Sequence, residues 1–324
     1  MIIKKVGVAL LSTMALGIAK AETVESWPNR PVTIIVPFAA GQTGDIVARM
    51  LGKELQNKLK QSVIVENRPG AGGRIGTTYA ARSKPDGYTL LMTSTGPYAI
   101  TPALYPESTQ YNSTADFTGI AEVGSTPQVI VVSANAGVST FNELVAKAKT
   151  NDLSYGSAGN GSLQHLTMEL LKDQVGFPML HVPFKGSSES KTALIGNTLD
   201  ASTDSLPALI SSLKSNQLHA VAVISPQRSS HLPDVPTLKE LGYAPLSAIA
   251  FFGLVAPKGT PEKIVDLLNN EIISIFRAPV FQDQMHAQAL SLPTERTAAE
   301  FSDYLKEEST YWKTVVDQAN ITIE

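Results

Sequence analysis

Short runs of β-branched and aliphatic residues alternate along the chain with longer stretches in which apolar residues recur every three to four positions. Val32 to Val36 (VTIIV) is the first such run, and positions 45–59 follow with helical spacing. Strand is expected again at 63–66, helix at 76–82, and strand at 88–92 after the Lys84-Pro85-Asp86-Gly87 turn. Near-continuous apolar strands separated by helices predict sheets covered on both faces, hence an α/β fold. Positions 298–319 carry Phe301, Leu305, Trp312, Val315 and Val316 at helical spacing and predict a C-terminal helix.

The pattern also echoes itself. Val36-Pro37-Phe38 and Val182-Pro183-Phe184 each precede a small-residue loop and a helix. Strand 128–132 with helix 140–149 resembles strand 251–255 with helix 261–276. Together the echoes predict two similar lobes, each a mixed sheet flanked by helices. The chain crosses between them near 123–127 and returns near 248–252, so lobe one is 22–125 plus 252–324 and lobe two is 126–251. Two crossings make a hinge on which small backbone rotations close a cleft.

The N-terminus changes the picture of where this fold works. Two lysines, a 14-residue apolar run from Val6 to Ala19 and the small-residue site Ala19-Lys20-Ala21 read as a Sec signal peptide over 1–21. The apolar run is shorter than the ~20 helical residues that span a bilayer. There is no cysteine, which excludes disulfides, thiolate metal sites and a lipidated cysteine. The expected mature chain is free in the periplasm and not membrane-anchored. It keeps 23 basic and 29 acidic residues, net −6, which argues against nucleic acid as a partner.

Enzymatic signatures are absent. No Gly-x-Ser-x-Gly elbow, phosphate-binding loop or His-Glu-x-x-His occurs, and the five histidines show no metal-ligand spacing. Neither a catalytic residue nor a cofactor or metal is expected. Gly70-Ala71-Gly72-Gly73-Arg74-Ile75-Gly76 lies between a strand and a helix but misses the dinucleotide spacing, and reads as a tight turn that lets helix pack on strand. A secreted hydrolase would need a nucleophile–base pair that the sequence does not name.

What remains is a set of polar, small-residue loops just after strands. They are Ala39-Ala40-Gly41-Gln42-Thr43-Gly44-Asp45, Thr93-Ser94-Thr95-Gly96, Ser157-Ala158-Gly159-Asn160-Gly161-Ser162, Lys185-Gly186-Ser187-Ser188 and Thr203-Asp204-Ser205. Ligands of open α/β sheets bind beyond the carboxyl ends of strands, so all five face the expected cleft. Glycines free the backbone to turn N–H groups outward, and a following helix N-terminus favours an anion. Asp45 reads either as a helix N-cap or as a ligand contact. Lys185 either pairs with a ligand carboxylate or is solvated, and His165 either touches ligand or makes a buried hydrogen bond. Arg49 ties down an acidic neighbour.

At these loops the chain resembles the Bug family, the periplasmic receptors of tripartite tricarboxylate transporters. The matching pieces are Trp27-Pro28-Asn29-Arg30-Pro31, Val36-Pro37-Phe38 with Gly41, Asp45, Ala48 and Arg49, and Val65-Glu66-Asn67-Arg68-Pro69-Gly70-Ala71-Gly72-Gly73. Asp86-Gly87-Tyr88-Thr89-Leu90, Tyr155 to Ser162 with His165-Leu166, His181 to Gly186, and Leu232 to Thr237 continue the series, which closes on Trp312 with Val315-Val316. The resemblance implies a two-lobed Venus flytrap fold, no catalysis, and delivery of a small organic carboxylate to membrane permease subunits by a monomeric receptor. It also implies that Ala40 to Asp45 and Ser157 to Ser162 hold a ligand carboxylate, largely through backbone N–H groups and waters, and that Ser94, Gly186 and Asp204 line the cleft. With Phe38, Thr95, His165 and Lys185 from the loops themselves, the expected ligand-binding set is Phe38, Ala40, Gly41, Gln42, Thr43, Gly44, Asp45, Ser94, Thr95, Ser157, Asn160, Gly161, Ser162, His165, Lys185, Gly186 and Asp204. Ala39, Gln42 and Gly44 depart from the family's usual Pro-Ala-Gly-Gly loop with a hydroxyl before the Asp, and Phe184 stands where tyrosine is usual, so the ligand is expected to be decided near Gln42 and Gly44. The alternative is a periplasmic ligand sensor that serves a two-component kinase with the same fold and site.

Overall fold

A computed structural model describes residues 26–243 and 248–319. The leader assigned to 1–21 lies outside them. The chain begins with β1 (Val32–Val36), α1 (Thr43–Leu59), β2 (Val63–Asn67), α2 (Arg74–Ala81) and β3 (Thr89–Ser94), then the short helices α3 (Thr101–Leu104) and α4 (Ser113–Asp116). β4 (Phe117–Ser133) leads through α5 (Phe141–Ala148) into β5 (Ser154–Ser157), α6 (Leu163–Val175), β6 (Leu180–Pro183) and α7 (Ser187–Ile195). β7 (Ala201–Ser205), α8 (Leu206–Lys214) and β8 (Leu218–Ile224) follow. β9 (Ile249–Pro257) precedes α9 (Glu262–Phe276), α10 (Pro279–Ala287) and α11 (Ala298–Ala319).

The strands run in the order β2-β1-β3-β9-β4-β7-β5-β6, with β8 also on β4. In the first lobe β1 pairs in parallel with β2 and β3, and β3 is antiparallel to β9. In the second, β5 pairs in parallel with β6 and β7, and β7 is antiparallel to the end of β4. The two lobes therefore share one topology, a mixed sheet with helices against it. Four of the five β1 residues are buried, and α1 turns Val47, Ala48, Leu51 and Leu55 inward, as their spacing requires.

This topology corrects one of the two echoes. The strand equivalent to β1 is β5, which like β1 lies between two parallel neighbours, whereas β6 is an edge strand. The likeness of Val36-Pro37-Phe38 to Val182-Pro183-Phe184 does not superpose the lobes. The second echo does: β9 with α9 and the end of β4 with α5 hold the same place in their sheets.

The strand expected at 128–132 is the tail of a 17-residue strand. Gly119, Gly124 and Pro127 hide its first part from a propensity reading, and the register shifts between Gly119 and Ala121 and between Glu122 and Gly124 mark bulges there. Thr203-Asp204-Ser205 likewise lies at the end of β7 and not in a loop. α11 packs on the first lobe as expected. Phe301 packs directly against backbone, since a Cβ on Gly253 would stand 2.5 Å from the tip of its ring. Arg296, just before α11, bridges to Glu122 of β4.

Candidate functional site

The first wall of the cleft is the β1–α1 turn. Gly41 takes φ 81°, and Gln42 caps α1 by its backbone alone. Asp45 stands in the first turn of the helix, not at its N-cap. Its carboxylate accepts from Gly41 N (2.9 Å), Asn67 Nδ2 (2.9 Å) and Arg49 Nε (3.0 Å), and pairs with Arg49 Nη2 at 2.8 Å. Asn67 Nδ2 also donates to Phe38 O at 3.0 Å. Burial pushes the Asp45 carboxyl up, but the hydrogen bonds from Arg49, Gly41 and Asn67 outweigh it and hold the group below its usual range. Asp45 is thereby spent on fixing the loop. The first-turn N–H groups at Thr43 and Gly44 have no acceptor within the helix.

The second wall is built from the starts of α6, α7 and α8. The Ser162 hydroxyl caps α6 by accepting from His165 N at 3.2 Å. Gly161 N donates to His165 Nδ1 at 3.3 Å, which places the proton of a neutral ring on Nε2. The rings of His165 and His181 stack at 4.0 Å, and Tyr155 stacks on His181 at 4.9 Å. Ser157 Oγ lies 2.7 Å from His181 Nε2 and accepts from Gly159 N at 3.1 Å. Burial pushes His165 down to about 4 and His181 to about 3, so both rings are neutral near pH 7.

Between the walls lies a cavity of about 40 Å³. The N-terminal residues of four helices reach it: Gln42, Thr43 and Gly44 of α1, Leu163 and Gln164 of α6, Ser187 of α7 and Ser205 of α8. Each helix start carries partial positive charge and unpaired N–H groups, so the arrangement suits an anion. Four buried polar atoms of its lining residues have no partner in the protein: Gln42 Nε2, Thr43 Oγ1, Gln128 Oε1 and Asp204 Oδ2.

Of the residues singled out from sequence, Phe38, Gln42, Thr43, Gly44, Ser94 and Asp204 line this cavity. Others meet the opposite lobe beside it. Ser188 Oγ donates to Ala40 O at 3.4 Å, Thr101 Oγ1 to Gly161 O at 3.0 Å, and Asn160 O faces Gly72, where a Cβ would come within 2.6 Å. Gly186 abuts the Gln42 amide. Gly41, Asp45, Ser157, Ser162 and His165 support the loops from behind, and Thr95 Oγ1 accepts from Phe251 N at 3.1 Å on β9. Lys185 stands apart from the cavity. It is exposed, and its backbone N–H turns back to Glu189, so that Ser187 and not Lys185 faces inward. The structure adds Gln128, Gln164, Ser187, Ser205, Gly96, Leu163, Ala250 and Phe252. Ser187, Ser205 and Gly96 sat in the polar loops already marked, but nothing in the local pattern aims Gln128 of β4 or Phe252 of β9 at the cleft.

Two lobes joined by crossing strands, closed over an anion-suited cavity, define a solute-binding receptor. The family model for the tripartite tricarboxylate transporter family receptor matches residues 47–321, and the chain belongs to that family. It is 35% identical to Protein BugT of Bordetella pertussis over 311 residues, 95% of each chain. Among solved structures, a Rhodopseudomonas palustris protein with adipate superposes at TM-score 0.87 and 28% identity, covering 91% of this chain and 99% of that one. MatC of Rhodopseudomonas palustris with bound malate superposes at 0.85 and 29% identity, covering 90% and 100%. Among the described residues no helix is long and apolar enough to cross a membrane.

Proposed function

We propose that this chain is a periplasmic receptor that captures a small organic carboxylate between its lobes and delivers it to the permease subunits of a tripartite tricarboxylate-type transporter. The observation that carries this reading is the convergence of four helix starts on one cavity between the lobes. Relatives with the same fold hold adipate and malate. Residues 1–21 are the export signal, and the mature monomer works in the periplasm without a cofactor. The lobe boundaries fall at 125/126 and 251/252, where β4 and β9 pass between the sheets.

Binding without chemistry is the reading that the buried groups favour. A serine–histidine pair does exist, Ser157 with His181, two residues 24 positions apart that no local motif links. The Ser157 hydroxyl is fully buried, held by Gly159 behind the loop, and does not line the cavity, so it has no access to a substrate. A thermal-shift screen over mono-, di- and tricarboxylates tests the proposal. A raised melting temperature with at least one acid is expected, together with a smaller radius of gyration in solution scattering. A flat response across the whole panel would refute carboxylate capture.

A further inference from the structure

Carboxylate capture leaves a second cavity unused, about 430 Å³ in volume, between α11 and the strands β4 and β9. β9 gives Phe251 to this cavity and Ala250 and Phe252 to the first, so alternation along the strand sets the two on opposite faces of β9. Tyr304, Glu308, Tyr311 and Trp312 enter it from α11 at i, i+4, i+7 and i+8, which is one face of a helix. Four of its side chains are thus aromatic. Tyr304 meets Phe251 edge to face at 5.8 Å, and Tyr311 meets Trp312 likewise at 5.4 Å. Two carboxylates stand among the rings, Glu122 of β4 and Glu308. The one guanidinium in the wall, Arg296, bridges to Glu122 and lies 4.4 Å over the Tyr304 ring. Glu308 accepts from Trp312 Nε1 at 3.1 Å but forms no ion pair among the described residues. Burial raises both acids. At Glu122 it outweighs Arg296, and Glu308 adds to the rise; at Glu308 it outweighs the Trp312 and Tyr304 donors.

Two carboxylates against one guanidinium leave the cavity one positive charge short, and aromatic rings, whose faces attract cations, surround the deficit. Arg296 already shows that this wall holds a cation by carboxylate and by ring face together. We propose that the cavity between α11 and β9 is a second binding site, for a small organic cation of the alkylammonium class, held by Glu308 and by the rings of Tyr304, Tyr311 and Trp312. Its volume falls within the roughly 300–1,000 Å³ of small-molecule sites. Tyr311 is 54% exposed and Trp312 only 4%, so Tyr311 stands at the mouth and Trp312 at the floor. The rings and the half-exposed Ile249 offer apolar surface to alkyl groups, which suits an alkylammonium better than a bare metal ion. The site shares no residue with the carboxylate cavity, and each reading can fail without the other.

Choline tests it by calorimetry on the mature chain, against an uncharged isostere in which a tert-butyl group replaces the trimethylammonium, with sodium chloride holding the ionic strength constant. The chain has two tryptophans, so in a Trp27→Phe variant the emission of Trp312 reports on the cavity directly. Choline is expected to bind in the millimolar range with a saturable change in that emission, and roughly tenfold more tightly than the isostere. Glu308→Gln keeps an acceptor for Trp312 and is expected to bring choline down to the level of the isostere. Tyr311→Ala, at an exposed position, is expected to weaken choline about threefold to tenfold. Both variants should bind the tightest acid of the carboxylate panel as wild type does, which a general loss of structure would not allow. No saturable response to choline up to about 50 mM would overturn the site. An isostere that binds as well as choline would make the cavity an apolar pocket and overturn the cation class. Choline affinity unmoved by both substitutions would place the binding elsewhere and overturn it too. Should Glu308→Gln not fold, Tyr311→Ala and the isostere still decide.

Discussion

Gly186 has no side chain to set against Gln42, and the closed cleft depends on that. Its φ of 179° is ordinary extended backbone, so alanine there meets no strain from the chain itself. The obstacle is across the cleft: an added Cβ would lie 2.1 Å from Gln42 Nε2 and 3.5 Å from Ala39 Cβ. Gly186→Ala should therefore cost the closed state about 1–2 kcal/mol while sparing the open one. Ligand affinity is expected to fall about tenfold or more, with the ligand-free melting temperature unchanged within about 2 °C. Unchanged affinity in calorimetry would mean that the Gln42 side chain swings clear at no cost. Gln42 itself was legible in the sequence as a departure from a pattern, and the structure puts its free amide in the cavity. Gln128 was not legible. Nothing in the run from Gln128 to Val132 tells which face of the strand meets the cleft, because that depends on where β4 passes from one sheet to the other.

At the scale of elements, the β5–α6–β6 unit shows how a glycine-rich binding loop is kept rigid. Glycines at 159 and 161 take positive φ, which permits the turn but does not fix it. The fixing comes from Ser157, Ser162, His165 and His181, four side chains gathered from two strands and a helix. The strand–loop–helix pattern could be read from local sequence, whereas the stacking of His181 on His165 joins residues 16 apart on different elements. Both histidines have folded pKa values below the ordinary 6.5, about 4 and about 3, so the unfolded chain holds protons that the folded one refuses. Stability from these groups is complete above about pH 6.5 and is lost as the pH falls toward 4. Burial raises Glu122, Asp204 and Glu308 and acts in the opposite sense, so the histidine contribution has to be isolated by difference. His165→Gln keeps an acceptor for Gly161 N–H but cannot titrate. The variant should melt below wild type at about pH 7.5, and the gap should narrow as the pH falls to about 4.5. A gap that widens on acidification would contradict the assignment of neutral rings.

For the whole molecule, the decisive feature is how little joins the lobes. β3 accompanies β9 only as far as the Ser94–Phe252 pair, and β7 and β8 take up β4 only from Gln128. Between those points Ser125 to Pro127 and Ile249 to Phe251 pair with one another, apart from the bridge of Ser125 to Ser291. That bridge is a third strap, from the segment after α10, which the sequence pattern of two crossings did not anticipate. A two-stranded ribbon twists readily, and its twist is set against the contacts that hold the cleft shut, among them Thr101 with Gly161, Ser188 with Ala40, Gly72 against Asn160, Gly186 against Gln42 and Gly161 against the Tyr105 ring. The two neutral hydrogen bonds contribute only about 1 kcal/mol each toward the closed form. A ligand that touches both walls supplies the difference, and to carry the balance from mostly open to mostly closed it must favour the closed form by about 10⁴-fold. The chain has no cysteine, so exposed Lys53 of α1 and Asp173 of α6 can each be changed to cysteine and labelled without side reactions. Single-molecule energy transfer between them is expected to show a broad, ligand-free distribution that collapses to one short distance when the tightest-binding acid is added. One short distance with and without that acid would mean that the ribbon is stiff and that ligand enters by local opening of the β1–α1 loop instead.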